Sequence, residues 1–155
     1  MNNISDAGLD FIRRWEGCEL KVYKDSAGYQ TIGVGHLIVD ADPLEAWQNK
    51  GITETEAISL LRDDVAHAEG CVHRYILWPL NQNQWDALIS FTFNVGGGAL
   101  KSSTLRRKLN MGEEGRVNKE LLRWNKAGGK ISSGLTKRRK AEGRLFNLGD
   151  YGGGP

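Results

Sequence analysis

Apolar residues recur along this chain with two different periods, and the changes of period mark its elements. From Ser5 to Trp15, Leu9, Ile12 and the aromatic pair Phe11 and Trp15 join Ile4 in a stripe at helical spacing. Ser5 is an N-cap residue type, Asp6 and Asp10 suit the positive end of a helix, and Gly17 is a natural stop. From Leu20 the pattern shortens to β segments, Val22-Tyr23 and Tyr29 to Val34, on either side of the turn residues K-D-S-A-G. Leu20 to Val39 therefore predicts a small antiparallel sheet. Gly33 and Gly35 weaken a strand, so they point to a sharp bend or a close backbone approach.

The helical period returns after the sheet. Asp42-Pro43 reads as an N-cap followed by the first helical residue, opening a short helix to about Asn49 that Gly51 breaks. Thr53 and Glu56 form a capping box for a helix through Leu60, Leu61 and Val65 toward Tyr75, over 30 Å long at about 1.5 Å per residue. Pro79 is expected to stop it. Asn81 and Gln84 cap the next helix, which carries Trp85, Leu88, Ile89 and Phe93 and ends at N-V-G-G-G. Shorter helices are predicted over Ser103–Asn110, about Glu114 to Asn125, and Thr136–Asn147, ahead of a mobile tail, D-Y-G-G-G-P.

Composition narrows the class. A chain of 155 residues is one domain, long enough to bury about 68–70% of its unfolded surface. No apolar run approaches the roughly 20 residues of a membrane span. The start, M-N-N-I-S-D-A-G-L-D, has neither the basic nor the apolar region of a secretory signal, so the expected starting compartment is the cytoplasm. The two cysteines, Cys18 and Cys71, are too few for a disulfide scaffold. Charge is polarised: residues 1–77 hold 7 Lys+Arg against 13 Asp+Glu, residues 78–155 hold 14 against 6. Unlike lobes around a cleft, or an anionic polymer held by the second half, would both fit that division, as would two solvated surfaces.

Candidate chemistry concentrates between Glu16 and His36. Glu16 closes the first helix at its negative end, where an acid is disfavoured by about 0.3–1 kcal/mol. Its place between Trp15 and the sheet predicts burial that would raise its pKa. Asp25 lies in a polar turn beside Lys24, and Thr31 brings a hydroxyl from the strand. An acid on one side of a glycosidic bond and a water-holding group on the other is the equipment of a glycosidase. Residue types alone leave the plainer reading open: a surface acid, a turn aspartate and a strand threonine. His36 reads as a hydrogen-bonded anchor with Asp64 as its carboxylate partner. His67 and His73 are six apart and share no helix face, so no metal site is expected.

The spacing itself is distinctive. E-G-x-x-x-x-x-Y-x-D-x-x-G-x-x-T-I-G-x-G-H stands complete from Glu16 to His36 and resembles the phage-type lysozymes, glycoside hydrolase family 24. P-L-N-Q-N-Q-W-D-A-L-I-S-F-T-F-N-V-G, S-T-L-R-R-K-L-N, R-W-N-K-A-G-G-K and G-L-T-K-R-R-K-A-E extend the likeness over roughly residues 5–148. It implies an α+β, lysozyme-like fold in one domain, residues 1–155. A small sheet-bearing lobe of about 17–55 and a helical lobe of about 78–148, the latter with the N-terminal helix, would be joined by a helix of about 54–77, with the active-site cleft between. It implies hydrolysis of the β-1,4 bond between N-acetylmuramic acid and N-acetylglucosamine without metal or cofactor. Glu16 would be the general acid, with Asp25 and Thr31 positioning the water. Leu37, Phe93, Thr104 and Asn118 would touch sugar, and Arg138 would face the acid. Asn94, and a long loop from Ala127 to Gly134, depart from some relatives and bear on the outer subsites.

The expected partners are peptidoglycan as substrate and a holin that lets a leaderless endolysin pass from the host cytoplasm to the wall. A monomer is expected, with no nucleic-acid partner and no stable membrane association. A lytic transglycosylase is the rival enzyme, yet it can dispense with the pair Asp25 and Thr31. A nucleic-acid module would use Arg106-Arg107-Lys108 and Lys137 to Lys140, runs that also suit a solvated basic face. A dead wall-binding relative would not need all three of Glu16, Asp25 and Thr31.

Overall fold

Helix α1 spans Asp6–Glu16 in this computed structural model, which describes residues 2–155. Ser5 caps it, its hydroxyl accepting from the Gly8 amide at 3.0 Å. Gly17 ends it at φ +80°, its amide returning to the Arg13 carbonyl at 2.8 Å. The chain divides into two compact units: Ile12–Asp64, and the residues up to Phe11 together with Val65–Pro155.

The unit Ile12–Asp64 holds an antiparallel sheet of β1 (Glu19–Lys24), β2 (Gln30–Gly33) and β3 (His36–Leu37), in that spatial order. Helix α2 (Leu44–Lys50) follows, and α3 (Glu54–Tyr75) begins here. Ile32, Ile52 and Ala57 form its core, with Cys18, Val22, Ile38, Trp47 and Leu60 packed around them. Gly51 is a place where only glycine fits: its φ is +70°, and the Leu20 carbonyl occupies the space a Cβ would need. The capping box that opens α3 is as expected, with Thr53 Oγ1 accepting from the Glu56 amide at 3.1 Å and Glu56 Oε2 from the Thr53 amide at 2.7 Å.

The start of α2 differs from the sequence expectation. Pro43 occupies the cap position and no side chain caps the helix. The Asp42 carboxylate accepts instead from the Val39 amide at 2.8 Å and lies 3.1 Å from His36 Nε2. The Val39 amide and a charge-assisted bond to a largely buried imidazole together hold the carboxylate away from the helix start.

The second unit is helical. After α3 come α4 (Gln82–Val95), α5 (Gly97–Ser102), α6 (Thr104–Asn110), a 3-10 turn (Glu114–Arg116), α7 (Val117–Leu122) and α8 (Ser133–Leu148). A hairpin of β4 (Lys126–Ala127) and β5 (Lys130–Ile131) precedes α8. Helix α4 is buried without a break from Trp85 to Thr92, and α8 packs along it. The Asn81–Gln84 capping box is present as read from the sequence. Leu88, Phe91, Leu100, Leu105, Leu121, Leu145 and Phe146 are fully buried.

Helix α3 reaches Tyr75 as expected, but it stops ahead of Pro79: Arg106 Nε and Asn110 Nδ2 take the Tyr75 carbonyl at 3.2 and 2.8 Å and Asn110 Oδ1 takes the Leu77 amide. Three other expectations change. Helix α5 follows Gly96, where the glycine run read only as a stop; Gly97 sits against Cys71 Sγ and has no room for a side chain. The helix expected to reach Asn125 stops at Leu122, since the chain turns into the hairpin and the Asn125 carbonyl accepts from the Ser132 amide. The tail is pinned: Tyr151 donates to Asp86 at 2.7 Å, and this buried carboxylate also accepts from the Ser5 amide, the Ser5 hydroxyl and Gln82 Nε2.

Candidate active site

Glu16 is the last residue of α1, and its side chain is exposed. The burial expected from the neighbouring Trp15 and sheet is therefore not found: ending the helix carries the carboxyl beyond the packed stripe.

Asp25 and Thr31 are fixed by backbone. Asp25 Oδ1 accepts from the amides of Ala27 at 2.9 Å and Tyr29 at 2.8 Å, an Asx-type closure of the β1–β2 turn. The Asp25 amide donates to the Tyr29 carbonyl, and the Gly28 amide donates back to the Asp25 carbonyl, each at 2.9 Å. Thr31 is 3% exposed, and its hydroxyl donates to the same Tyr29 carbonyl at 2.9 Å. With its proton committed, the Thr31 oxygen offers only lone pairs to a ligand. Both known bonds to the Asp25 carboxylate fall on Oδ1.

Sheet register assembles the rest. Thr31 is opposite Tyr23 on β1 and opposite Leu37 on β3, so the three side chains form a row across one face. Leu37 is 48% exposed. The Tyr23 phenol has its pKa raised, first by burial and then by the charges of Glu19, Asp25 and Glu16. Glu16 and Asp25 thus both act on a phenol that is the cross-strand neighbour of Thr31. The tyrosine belongs to the sequence motif, yet no role could be read for it there, because strand register is invisible without the pairing.

His36 lies on the other face, opposite Ile32, with Nδ1 2.9 Å from Asp64 and Nε2 3.1 Å from Asp42. The expected partner Asp64 is in place, and Asp42 is a second one that the sequence concealed behind a helix-cap pattern. Burial pushes the His36 pKa down, but the bonds to Asp42 and Asp64 and their charges together raise it above the ordinary value.

The remaining residues belong to the helical unit. Phe93 is half-buried on α4. Thr104 opens α6 and lines a hollow of about 290 Å³ with Ser102, Ser103, Glu120, Arg123 and Trp124. Asn118 on α7 is exposed and lines another, of about 230 Å³, with Leu122, Arg139, Lys140 and Arg144. Thr104 and Asn118, both expected sugar contacts, line separate hollows. Arg138 Nε is 3.2 Å from Glu142, whose other oxygen is 3.0 Å from Arg139 Nε. Ser90 donates to Glu142 at 2.8 Å. Burial raises the Glu142 pKa against the pull of Arg139 and Arg138. Among the described residues, no group of three or more His, Cys, Asp or Glu could hold a metal ion.

The family model for phage lysozyme matches residues 13–142, which include every member of the Glu16, Asp25, Thr31 and His36 set. The chain belongs to the phage lysozyme family. It is 45% identical over 150 residues to the endolysin of Bacillus phage B103, covering 96% of this chain and 55% of that relative. The chain thus spans just over half the length of that relative. The solved endolysin of Escherichia coli O157:H7 phage FAHEc1 superposes with a TM-score of 0.87 at 35% identity, covering 98% of both chains. The muramidase domain of SpmX from Asticaccaulis excentricus superposes at 0.83 with 30% identity, covering 96% of this chain and 99% of that one. Membership gives the mixed helical fold with small antiparallel sheets a family context, and no described helix is long and apolar enough to cross a membrane.

Proposed function

We propose that this member of the phage lysozyme family is an endolysin that hydrolyses the β-1,4 bond between N-acetylmuramic acid and N-acetylglucosamine in peptidoglycan. Glu16 is the general acid and protonates the departing glycosidic oxygen. Asp25 and Thr31 hold the water: its two hydrogens point at Asp25 Oδ2 and the Thr31 oxygen, leaving a lone pair for the anomeric carbon. As the new C–O bond forms and the glycosidic bond breaks, Asp25 takes a proton from the water and Glu16 gives one up, so charge and protons balance. Attack on the face opposite the leaving group inverts the anomeric centre.

The observation that carries this reading is the common anchorage of Asp25 and Thr31 on Tyr29, which presents two acceptors and no donor. The endolysin and muramidase names of the relatives support the substrate class. Leu37, Phe93, Thr104 and Asn118 are proposed substrate contacts, His36 with Asp64 and Arg138 supporting groups. Metal and cofactor play no part in the proposed steps. For delivery we infer a monomer that waits in the host cytoplasm until a holin opens the membrane, then acts in the periplasm or wall without a nucleic-acid partner.

Digestion of purified peptidoglycan followed by analysis of product ends tests this. Reducing muramic acid ends are expected; 1,6-anhydro ends would make the protein a lytic transglycosylase instead.

A further inference from the structure

Leu77 and Met111 are among the most exposed large apolar side chains of the helical unit, at 77% and 70%. They lie on neighbouring segments. The Leu77 amide donates to the side chain of Asn110, the residue before Met111, at 2.7 Å. The adjacent Trp78 ring folds over Gly112, where an added Cβ would stand 3.1 Å from it. The loop after α3 and the end of α6 therefore form one fixed surface with two aliphatic tips.

Beside those tips is a hollow of about 360 Å³ whose lining includes Lys101, Arg106, Arg107, Asn110 and Met111. Arg106 is held in place: Nε donates to the Tyr75 carbonyl at 3.2 Å, Nη1 to the Lys101 carbonyl at 2.9 Å, and the guanidinium lies over the Tyr75 ring at 5.6 Å. These partners are neutral, so its charge is not compensated. Among the described residues, no carboxylate pairs with Lys101, Arg106 or Arg107. Of the acids in the adjoining segments, Glu113 is paired with Arg116, Glu120 with Lys108 and Arg123, and Glu114 accepts from Gln84 Nε2 at 2.9 Å.

We propose that this surface docks on an anionic phospholipid bilayer. Headgroup phosphates meet Lys101, Arg106 and Arg107, and Leu77 and Met111 enter the acyl boundary. Charge complementarity selects an anionic partner, and the two tips select lipid among anionic partners. A nucleic acid or an acidic polysaccharide would use the cations and leave a leucine and a methionine in water, whereas a bilayer covers both. Three cations and two apolar side chains make an attachment that is peripheral, reversible and weakened by salt. The proposal goes beyond the catalytic reading and does not depend on it.

Co-sedimentation of the full chain with vesicles tests the surface. One set contains equal parts of phosphatidylglycerol and phosphatidylethanolamine, the other phosphatidylcholine alone. Binding to the anionic vesicles is expected, with none to phosphatidylcholine. Lys101→Glu/Arg107→Glu and Leu77→Ser/Met111→Ser should each weaken it by about tenfold or more. Circular dichroism checks both variants for folding, and Arg107→Gln replaces the charge reversal if that variant is misfolded. Wild-type binding by the folded serine pair would overturn the proposal, as would displacement of the protein by inorganic phosphate at unchanged ionic strength. Both variants should digest purified, lipid-free peptidoglycan at the wild-type rate. Loss of that digestion would assign the patch to the wall substrate and equally overturn lipid docking.

Discussion

Asp25 and Thr31 are held by the two ends of one residue. The Tyr29 amide donates to Asp25 at 2.8 Å, and the Tyr29 carbonyl accepts from the Thr31 hydroxyl at 2.9 Å. A shift of one group therefore carries the other with it, and the spacing of two acceptors is set by backbone. If they orient a water, the oxygen at position 31 matters and its methyl group does not. Thr31→Ser should keep most activity. Thr31→Val should lower kcat by about tenfold or more, the equivalent of one hydrogen bond of about 1.4 kcal/mol in the transition state. Equal kcat for the valine and serine variants would contradict the water-holding role.

Glu16→Gln isolates the proposed acid. The amide cannot donate a proton to the leaving oxygen, and general-acid catalysis contributes about 10²–10⁴-fold. Clearing of outer-membrane-stripped cells should fall by that order. Stability should stay level or rise by about 0.3–1 kcal/mol, because an exposed acid leaves the negative end of α1. Normal clearing by the purified variant would remove Glu16 from the mechanism.

The His36 cluster has a pH signature. Its pKa is raised because Asp42 and Asp64 outweigh burial, so its stabilising contribution is complete below the ordinary value of 6.5 and is lost as pH climbs past the raised one. Asp42 is lowered, chiefly by the Val39 amide and then by His36, so its contribution holds above 3.8 and is lost as pH falls through the lowered value. Burial raises Asp64 despite His36, which offsets part of the gain once that carboxyl ionises. His36→Asn should therefore cost about 1.5–3 kcal/mol in mildly acidic buffer, the range for bonds to charged groups, and less in alkaline buffer. Denaturant midpoints at both pH values measure this. A cost that grows with pH would refute the sign.

Tyr151 ties the C-terminal segment to the first helix cap through Asp86. Burial and the bond to Asp86 push its pKa up to about 12 from 10.0. Phenol absorbance should accordingly show Tyr151 ionising later than an exposed tyrosine. The stabilising contribution is complete below about pH 10 and vanishes as pH rises through about 12. Tyr151→Phe should cost about 1.5–3 kcal/mol near neutral pH. An unchanged midpoint would mean that the tail adds no stability.

What the sequence displayed well was local. The boxes Thr53/Glu56 and Asn81/Gln84 span three residues each, and both formed because their bonds need nothing from the rest of the chain. Asp42 showed the reverse: its cap pattern was valid, but the Val39 amide and an imidazole brought near by sheet pairing took its carboxylate. Ala127-Gly128-Gly129-Lys130 carried a hairpin signal, two glycines between short extended segments, and φ values of +57° and +79° meet its demand. The helical periodicity on either side obscured it. Glu16, Asp25 and Thr31 stood out by spacing. Their connection through Tyr29 and Tyr23 did not, because it rests on register and on backbone bonds across a turn. The pairing of Glu142 with Arg138 and Arg139 was hidden in a run of basic residues that reads as a solvated face.

The most direct test is the configuration of the first product. Peptidoglycan oligosaccharides are incubated with the unmutated protein and any new muramic acid end is followed by proton NMR before mutarotation. A water delivered by Asp25 and Thr31 predicts an α anomer, with no sugar attached to the protein in mass spectra of the quenched reaction. A β anomer as the first product, or a glycosyl group found covalently on Asp25, would contradict it.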